Sequence, residues 1–204
     1  MYKSFYSKFV KVVIDFFIAF CFIVLFCWLY LILLIIVKID YLGAPAVFKQ
    51  ERIGKYGKIY KMYKFRTMIP GAENKGSGVY SDSNDDRVTR FGKLLRKTSL
   101  DELPQFFNIL KGDMSLIGFR SPLTYHPWTW DKYTDEQKIM FEVRPGMTGW
   151  AQVHGRRTVK WDDRIKFNCW YAQNVKFSLD VKIFFKTIAL LFTGKNNENL
   201  GKTI

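Results

Sequence analysis

Histidine and cysteine are scarce in this sequence. The 204 residues include two histidines, His126 and His154, and three cysteines. Cys21 and Cys27 lie in an apolar stretch and Cys169 is far from both, so the spacing supports no disulfide framework. The sequence also contains no C-x-x-C or H-E-x-x-H pattern, which argues against a zinc site. Reduced cysteines fit a catalytic domain in the cytoplasm.

Acidic residues are also few. The chain has 18 Asp and Glu against 32 Lys and Arg, which gives a formal net charge of +14. This excess indicates anionic partners, and nucleic acid, anionic lipid and phosphorylated substrates all satisfy it. Aromatic residues make up 18% of the chain, which suits anchoring at a membrane interface. The length leaves room for one compact domain and a membrane segment.

Formal charge is absent from Phe16 to Val37, a run of 22 residues. A straight helix of this length is about 33 Å long, enough to cross a hydrocarbon core of about 30 Å. The run is too long for the apolar region of a signal peptide and lacks a small-residue cleavage site. Basic residues flank both of its ends, which favours a helix that enters the membrane and returns over a single crossing. These cations are Lys3, Lys8 and Lys11 before the run and Lys38, Lys49, Arg52 and Lys55 after it.

An adjacent pair of carboxylates, Asp101 and Glu102, stands where the sequence indicates the start of a helix. Ser99 and Glu102 have the S-x-x-E spacing of a capping box, so Leu100 to Glu102 would form the first turn. Pro104 is tolerated that early in a helix. A carboxylate at a helix N-terminus is stabilised as the anion, which suits a nucleophile or metal ligand better than a general acid.

Acidic first turns are common, so the pair taken alone is best explained as helix capping. Its surroundings favour a catalytic role, because a carboxylate that attacks an anionic phosphorus centre needs cations nearby. The cations close in sequence are Arg87, Arg90, Lys93, Arg96 and Lys97 before the pair and Lys111 and Arg120 after it.

Two short strands are predicted between the apolar run and the acidic pair. Val47 to Glu51 and Lys58 to Phe65 alternate loosely, with a turn at Gly54 to Gly57. Lys64 and Arg66 would lie on one face of the second strand. This face could be a solvated edge or could bind phosphate.

Four further segments complete the coarse prediction. Pro70 to Asp86 is predicted as a loop that could cover the site. Ser121 to Trp130 contains two tryptophans that suit either the membrane interface or ordinary packing. Asp135 to Val143 is predicted as a short helix. Leu179 to Thr193 is predicted as an amphipathic helix whose basic edge favours a membrane surface over the core.

The segment RPGMTGWAQVHGR, from Arg144 to Arg156, combines glycines with cations. The glycines permit tight turns and a close approach of the backbone to a ligand. Arg144, Arg156 and Arg157 would supply positive charge for a diphosphate, and Trp150 could pack under a ring. A purely structural turn explains the glycines but leaves the arginines without a role.

Three motifs together carry a resemblance to a known family. SLDELPQFFNILKGDMSLIG (99–118), KFRTM (64–68) and RPGMTGWAQVHGR (144–156) resemble the bacterial sugar transferase family in sequence and in order. Its members are monotopic phosphoglycosyl transferases that start glycoconjugate assembly on a polyprenyl phosphate. The resemblance extends from the apolar segment to about Thr193.

The resemblance implies a fold and a location. It implies an α/β protein, mainly α with a few short strands, built as a small monotopic membrane protein with an N-terminal re-entrant helix and amphipathic interfacial helices. The expected organisation is a membrane-associated segment over 1–42, a catalytic domain over 43–194 and a tail over 195–204. The catalytic domain would face the cytoplasm at the inner membrane, and the sequence leaves open a homo-oligomer.

The resemblance also implies a reaction, in which a UDP-sugar and polyprenyl phosphate are the partners and Mg²⁺ is the cofactor. Asp101 would attack the β-phosphorus of the donor, release UMP and carry the phosphosugar until the polyprenyl phosphate accepts it. Asp101 and Glu102 would hold the metal, and Glu102 could assist deprotonation of the acceptor. The phosphate-binding residues would be Lys64, Arg96, Arg120, Arg144 and Arg156.

The sequence departs from the family pattern in four places. Cys27-Trp28 stands where many relatives have Ser-Pro at the break of the membrane helix. Gly118-Phe119-Arg120-Ser121 replaces Gly-Pro-Arg-Pro, His154-Gly155-Arg156 replaces Asn-Gly-Arg, and Asn168 replaces an aspartate. The acidic pair and its cations are intact, so these differences do not indicate an inactive enzyme.

Three other classes of function are open to the sequence. A membrane-tethered nucleic-acid-binding module would use the same net charge, but no reader motif is present and we expect no nucleic acid partner. A structural scaffold would explain the apolar run but not the acidic pair among cations. A conventional glycosyltransferase is the nearest rival, and it would release UDP instead of UMP.

Overall fold

The computed structural model describes residues 4–74, 85–155 and 159–193, and these form mainly helices with two small sheets. This agrees with the predicted α/β class, mainly α. The helices are α1 (Lys11–Leu25), α2 (Cys27–Asp40), α3 (Arg90–Thr98), α4 (Gln105–Leu110), α5 (Asp135–Lys138), α6 (Trp150–Val153), α7 (Trp161–Gln173) and α8 (Phe177–Thr193). The strands are β1 (Val47–Ile53), β2 (Ile59–Phe65), β3 (Ser115–Ile117) and β4 (Gly146–Thr148).

The apolar run folds as two helices with a sharp bend between them. A turn of π-helix at Tyr6–Val10 leads into α1, and α1 and α2 meet at Phe26, where the chain bends by 68°. Phe26 has φ −106° and ψ 18°, outside the α-helical region, so the bend forms without a proline. In the described part of the chain no single helix is long and apolar enough to cross a membrane, whereas the bent pair together meets both criteria.

One apolar face of the bent pair is exposed on the surface of the protein, and the other is buried in its core. Val13, Phe16, Phe17 and Phe20 of α1 are exposed, as are several large residues of α2. The opposite face packs into a core that also includes Leu95 and Leu103, through Ala19, Tyr30, Leu33 and Val37. An exposed apolar surface of this extent is unfavourable in water, so it marks a surface for lipid or for another protein.

The bent pair is also joined directly to α4. The Phe22 and Phe106 rings stack with centroids 4.1 Å apart. The Tyr30 hydroxyl donates a hydrogen bond to the Leu103 carbonyl oxygen over 2.8 Å. These contacts fix the position of α4, and of the acidic turn before it, relative to the apolar helices.

The two predicted strands and their turn are confirmed. β1 and β2 pair antiparallel, from Val47 opposite Phe65 to Ile53 opposite Ile59. The shorter β3 and β4 pair in parallel and bring the segment after the acidic pair beside the RPGMTG segment. Arg66 is buried, and its guanidinium donates to the carbonyl oxygens of Val37 and Tyr41. Arg66 therefore provides hydrogen-bond donors for carbonyl oxygens at the C-terminal end of α2. Lys64 lines the cleft that is described below.

The predicted capping box at Ser99 is wrong. Ser99 has φ 58° and ψ 16°, and its N–H bonds to the Arg96 carbonyl oxygen, so it ends α3. Its side chain caps nothing, and Leu100–Glu102 is a separate 3₁₀ turn before α4. A capping box does occur at Thr134 and Gln137, at the start of α5 in the predicted Asp135 to Val143 helix.

The predicted C-terminal helix is present and begins two residues early. Leu179 and Ile183 of α8 are buried, whereas Phe184 and Phe185 are exposed. The tryptophans of the segment before α5 pack against Tyr133 and other residues of an interior cluster, which supports the packing interpretation. Most of the predicted loop and the tail after 193 lie outside the described residues.

A buried polar cluster joins the N-terminal segment to α8. Asp180 accepts hydrogen bonds from Lys11 Nζ, the Tyr6 hydroxyl and the Tyr171 hydroxyl, each over 2.7 Å. Asp15 of α1 accepts from the Ser115 hydroxyl over 2.6 Å. Because these charges are buried and paired, they hold α1, β3 and α8 in one arrangement.

Candidate active site

The acidic pair and Lys64 come together in the structure. Lys64 Nζ lies 2.7 Å from Glu102 Oε1 and 3.7 Å from Asp101 Oδ2. The two carboxylates lie in the 3₁₀ turn between α3 and α4, and Lys64 reaches them from the end of β2. Residues far apart in the sequence thus form one charged group.

Asp101 is the more buried of the two acids. Burial raises the pKa of its carboxyl, the Lys64 ammonium offsets part of this rise, and Glu102 adds to it. The helix N-terminus is not the main influence on this carboxyl, because Asp101 precedes a helix of only six residues and desolvation is the largest effect on its pKa. Lys64 and Arg96 lower this pKa, so both cations favour the ionised form of Asp101.

Arg96 is one of these cations. It lies near the end of α3, and its Nε donates to the Thr67 hydroxyl over 2.8 Å. Burial lowers the pKa of Arg96 and Asp101 raises it, but an arginine stays protonated at neutral pH. α3 can approach Thr67 because of Gly92, where an added Cβ would lie 2.1 Å from the Thr67 carbonyl oxygen.

Arg120 and Arg52 form a second group of cations on the same cleft. Arg120 is exposed on the cleft wall. Burial, and then the charge of Arg120, lower the pKa of Arg52 to about 10. Arg52 donates to the Ser121 carbonyl oxygen and to Gln50, so it also supports the Arg120 segment. From the sequence, Arg52 was considered only as a cation that flanks the apolar run. Its place in the cleft could not be predicted, because the hydrogen bond from Arg52 to Ser121 joins residues 69 positions apart.

The cleft that holds these residues has a volume of about 1010 Å³ and two chemically different parts. One part is charged and contains the acidic pair and the cations described above. The other part is apolar and includes Phe22 of the bent helix pair and residues of α8. Its apolar lining includes Phe22, Phe106, Leu116, Met147, Phe184 and Ile188. A ligand with a charged head and an apolar tail matches this division.

Arg144 and Arg156 are not placed with the acidic pair. Arg144 lines a separate cavity, together with lysines from the N-terminal segment. Arg156 and Arg157 lie outside the described residues. Trp150 stacks on Trp170 with centroids 4.6 Å apart, so it is already packed against another ring.

Gln152 is a cleft residue that sequence reasoning did not select. It is buried in α6, and neither its amide oxygen nor its amide nitrogen has a hydrogen-bond partner among the described residues. Buried amides are nearly always paired, so this one is unusual. In this segment, the glycines and arginines were selected from the sequence. A single glutamine belongs to no recognised motif, so Gln152 could not be selected from the sequence.

The carboxylates fit Mg²⁺ only as part of a larger ligand set. No group of three or more His, Cys, Asp and Glu side chains suited to a metal occurs in 4–74, 85–155 or 159–193. Mg²⁺ commonly binds through one or two carboxylates together with substrate phosphates and water. Asp101 and Glu102 supply such a pair, so they would hold the ion together with a bound diphosphate.

Comparisons with known proteins identify the family of this chain. The sequence model of the family described as bacterial sugar transferase matches residues 6–194. The sugar transferase EpsL of Bacillus subtilis is 44% identical over 148 residues, which are 72% of this chain and 70% of that protein.

Two further relatives have names that state a reaction. The UDP-N-acetylgalactosamine-undecaprenyl-phosphate N-acetylgalactosaminephosphotransferase of Aeromonas hydrophila is 42% identical over 189 residues, 91% of this chain. The UDP-glucose:undecaprenyl-phosphate glucose-1-phosphate transferase of Escherichia coli is 38% identical over 156 residues, 74% of this chain. The matches span 44% and 33% of the length of these two relatives.

Proposed function

The chain belongs to the bacterial sugar transferase family, and from this we propose that it transfers a sugar-1-phosphate from a UDP-sugar to polyprenyl phosphate and releases UMP. Relatives named as undecaprenyl-phosphate sugar phosphotransferases support the general reaction. We further propose that the reaction passes through a covalent intermediate on Asp101, as a membrane step of glycoconjugate synthesis.

The observation that carries this proposal is a buried carboxylate among cations in a cleft with an apolar side. A nucleophile for a phosphorus centre needs positive charge around it, and Lys64 and Arg96 supply it beside Asp101. The apolar side, which includes Phe22 of the membrane helix pair, suits an acceptor with a long hydrocarbon chain. A soluble donor and a lipid acceptor can thus meet in one site.

In the first step a carboxylate oxygen of Asp101 attacks the β-phosphorus of the UDP-sugar. A bond forms between this oxygen and phosphorus, and the bond from phosphorus to the oxygen that bridges the two phosphates breaks. The electron pair leaves with UMP. Lys64, Arg96 and Arg120 neutralise the charge that spreads over the phosphate oxygens.

In the second step an oxygen of the polyprenyl phosphate attacks the same phosphorus. The bond from phosphorus to Asp101 breaks, the carboxylate is restored, and polyprenyl-diphospho-sugar leaves. Glu102 lies beside Asp101 and takes the proton if the acceptor phosphate arrives as its monoanion. When Mg²⁺ is bound, it supplies further positive charge at the diphosphate.

The location follows from the bent helix pair. We propose that the pair enters and leaves the membrane on one side, because the cations at both of its ends favour the same side. The catalytic residues would then stand at the headgroup level on the cytoplasmic face. An aqueous donor and a membrane acceptor both reach that level.

Nucleotide release tests the proposal. The purified full-length chain is incubated with Mg²⁺, polyprenyl phosphate and a panel of UDP-sugars, and UMP and UDP are separated by chromatography. We expect UMP from one or a few donors, and no UMP from Asp101→Asn. Asp113→Asn is the matched control, because Asp113 is a partly exposed carboxylate of the same segment, paired with Lys111 over 3.6 Å.

Release of UDP instead would show transfer of the sugar alone, the reaction of a conventional glycosyltransferase, and would contradict the proposal. Mass spectrometry of the protein after a single turnover without acceptor tests the covalent step. A phosphosugar adduct on the peptide that contains Asp101 is expected. Release of UMP without such an adduct would support the overall reaction and refute the intermediate.

A further inference from the structure

A second cavity lies away from the catalytic carboxylates. It has a volume of about 470 Å³ and is enclosed by the N-terminal segment, the turn between β1 and β2, and the end of α7. Asp101, Glu102 and Lys64 do not line it. Five cations from four separate parts of the sequence line this cavity: Lys8, Lys11, Lys55, Arg144 and Lys176.

Two acids, Asp15 and Glu142, line this cavity beside its five cations. Asp15 accepts a hydrogen bond from Ser115 and lies 3.8 Å from Lys11, which is itself bound to Asp180. Lys8, Arg144 and Lys176 make no ion pair within the described ranges. The cations of the cavity therefore outnumber its acids, which favours an anion as ligand.

Exposed phenylalanines stand next to these cations in the chain. Phe5 and Phe9 lie within one helical turn of Lys8, and their exposed fractions are 73% and 60%. Phe177 follows Lys176 and is 56% exposed. The N-terminal and α8 segments meet where the Tyr6 ring contacts Phe177, with centroids 5.8 Å apart. Exposed apolar side chains thus neighbour the cations of the cavity in two segments of the chain.

We propose that this cavity binds the phosphate of an anionic phospholipid, with the acyl chains beside the exposed phenylalanines. The N-terminal segment continues without a break into α1, whose outer face bears Val13, Phe16 and Phe17. If that face lies in the bilayer, the cavity stands at the depth of the lipid headgroups. The inference rests on the membrane insertion proposed above and not on the transfer reaction.

The chemistry of the cavity distinguishes this ligand from other anions. A soluble phosphate would use the cations but would leave the phenylalanines in water. The diphosphate of the donor is expected near Asp101, and Arg144 lines a different cavity from that residue. Arg144 therefore has a role as a lipid contact in place of the predicted donor contact, and its guanidinium is suited to two phosphate oxygens at once.

The test measures lipid binding to the full-length chain in a neutral detergent. Phosphatidylglycerol, phosphatidylcholine or inorganic phosphate is titrated, and the thermal unfolding midpoint reports binding, because a ligand of the native state raises it. The site variant is Arg144→Gln/Lys176→Gln. The matched control is Lys61→Gln/Lys166→Gln, which removes the same charge from exposed residues outside the cavity.

We expect phosphatidylglycerol to raise the midpoint more than phosphatidylcholine does. Each cation near a lipid surface is worth about five-fold in affinity, so the site variant should bind phosphatidylglycerol about 25-fold more weakly. The control variant should bind like the native protein. If the double variant does not fold in lipid-free detergent, the exposed Lys176→Gln alone should lose about five-fold.

Three outcomes would overturn the proposal. Equal weakening in the site and control variants would show that only net charge matters. Equal stabilisation by the two lipids would show that the phosphate charge is not recognised. A full effect from inorganic phosphate alone would identify a site for soluble anions. None of these results depends on whether the protein releases UMP.

Discussion

Asp180 provides a sharp test of the packing, because one buried carboxylate serves three donors. Asp180→Asn removes the charge that binds Lys11 Nζ at 2.7 Å. The side chains of the pair are only 11% and 6% exposed, so water cannot replace the lost partner. Breaking a buried ion pair from one side costs about 3–5 kcal/mol. Asp15 remains 3.8 Å from Lys11 as an alternative partner, which puts the expected loss at the lower end, about 3 kcal/mol.

The assay is thermal unfolding in detergent, followed by circular dichroism. For a chain of this size about 3 kcal/mol corresponds to a fall in the midpoint of roughly 6–12 °C. Asp163→Asn is the matched control, because Asp163 makes the same type of pair with Lys166 at 3.0 Å on the surface. A surface pair contributes little, so this midpoint should hardly move.

A double-mutant cycle makes the test specific. Lys11→Met alone should also destabilise the protein, and adding it to Asp180→Asn should cost less than the sum, with a coupling of about 1–3 kcal/mol. Additivity within about 0.5 kcal/mol would show that the two residues do not interact as described. A midpoint of Asp180→Asn equal to that of the Asp163→Asn control would refute the reasoning outright.

Three further changes have definite expected results. Lys64→Gln should lower kcat for UMP release by about 100-fold, because it removes a cation beside the attacking carboxylate, whereas Lys61→Gln on the same strand should not. Gln152→Met should raise the free energy of unfolding by about 1 kcal/mol, measured by denaturant titration, because it removes an unpaired buried amide. Gly92→Ala should cost about 3 kcal/mol by the same titration and also reduce activity, since α3 must move away from Thr67.

Each of these has a result that would contradict it. Equal kcat values for Lys64→Gln and Lys61→Gln would show that Lys64 does not contribute to catalysis. A less stable Gln152→Met would mean that the amide has a partner in the native protein, such as bound water. Lys93→Ala is the control on α3, because Lys93 is exposed and alanine has the higher helix propensity, so no loss is expected there. A loss as large as that of Gly92→Ala would show that close packing against Thr67 is not the cause.

Local patterns predicted the parts of the fold that depend on neighbouring residues. The uncharged run predicted an apolar helical segment, and the structure divides it into two helices with a bend of 68° at Phe26. The return of this segment to the same side of a membrane stays a prediction. Alternation and the Gly54 to Gly57 turn predicted the two strands of the first sheet, and the structure adds their antiparallel register. The family motifs identified Lys64 and the acidic pair, and the structure brings them within ion-pair distance.

Patterns failed where two structural roles have the same sequence signature. Ser99 stands between two helices, and its spacing to Glu102 fits a cap for the second, although its left-handed backbone ends the first. Lys64 and Arg66 alternate along one strand, but only the three-dimensional packing sends Arg66 to the end of α2. The positions of Arg144 and Arg52 depend on contacts between distant segments, which spacing along the chain does not encode.

The shared core has a consequence for how the protein is made. Leu33 and Val37 of α2 are buried in one cluster with Phe65 and Leu95 of the catalytic part. A chain shortened to begin at residue 43 would lose that wall of its core and open the cleft floor near Phe106, so it should be insoluble and inactive. The fold of the acidic turn is therefore coupled to the folding of the first forty residues. A change that displaces α2 from this core should also disturb the cleft, although no residue of α2 lines it.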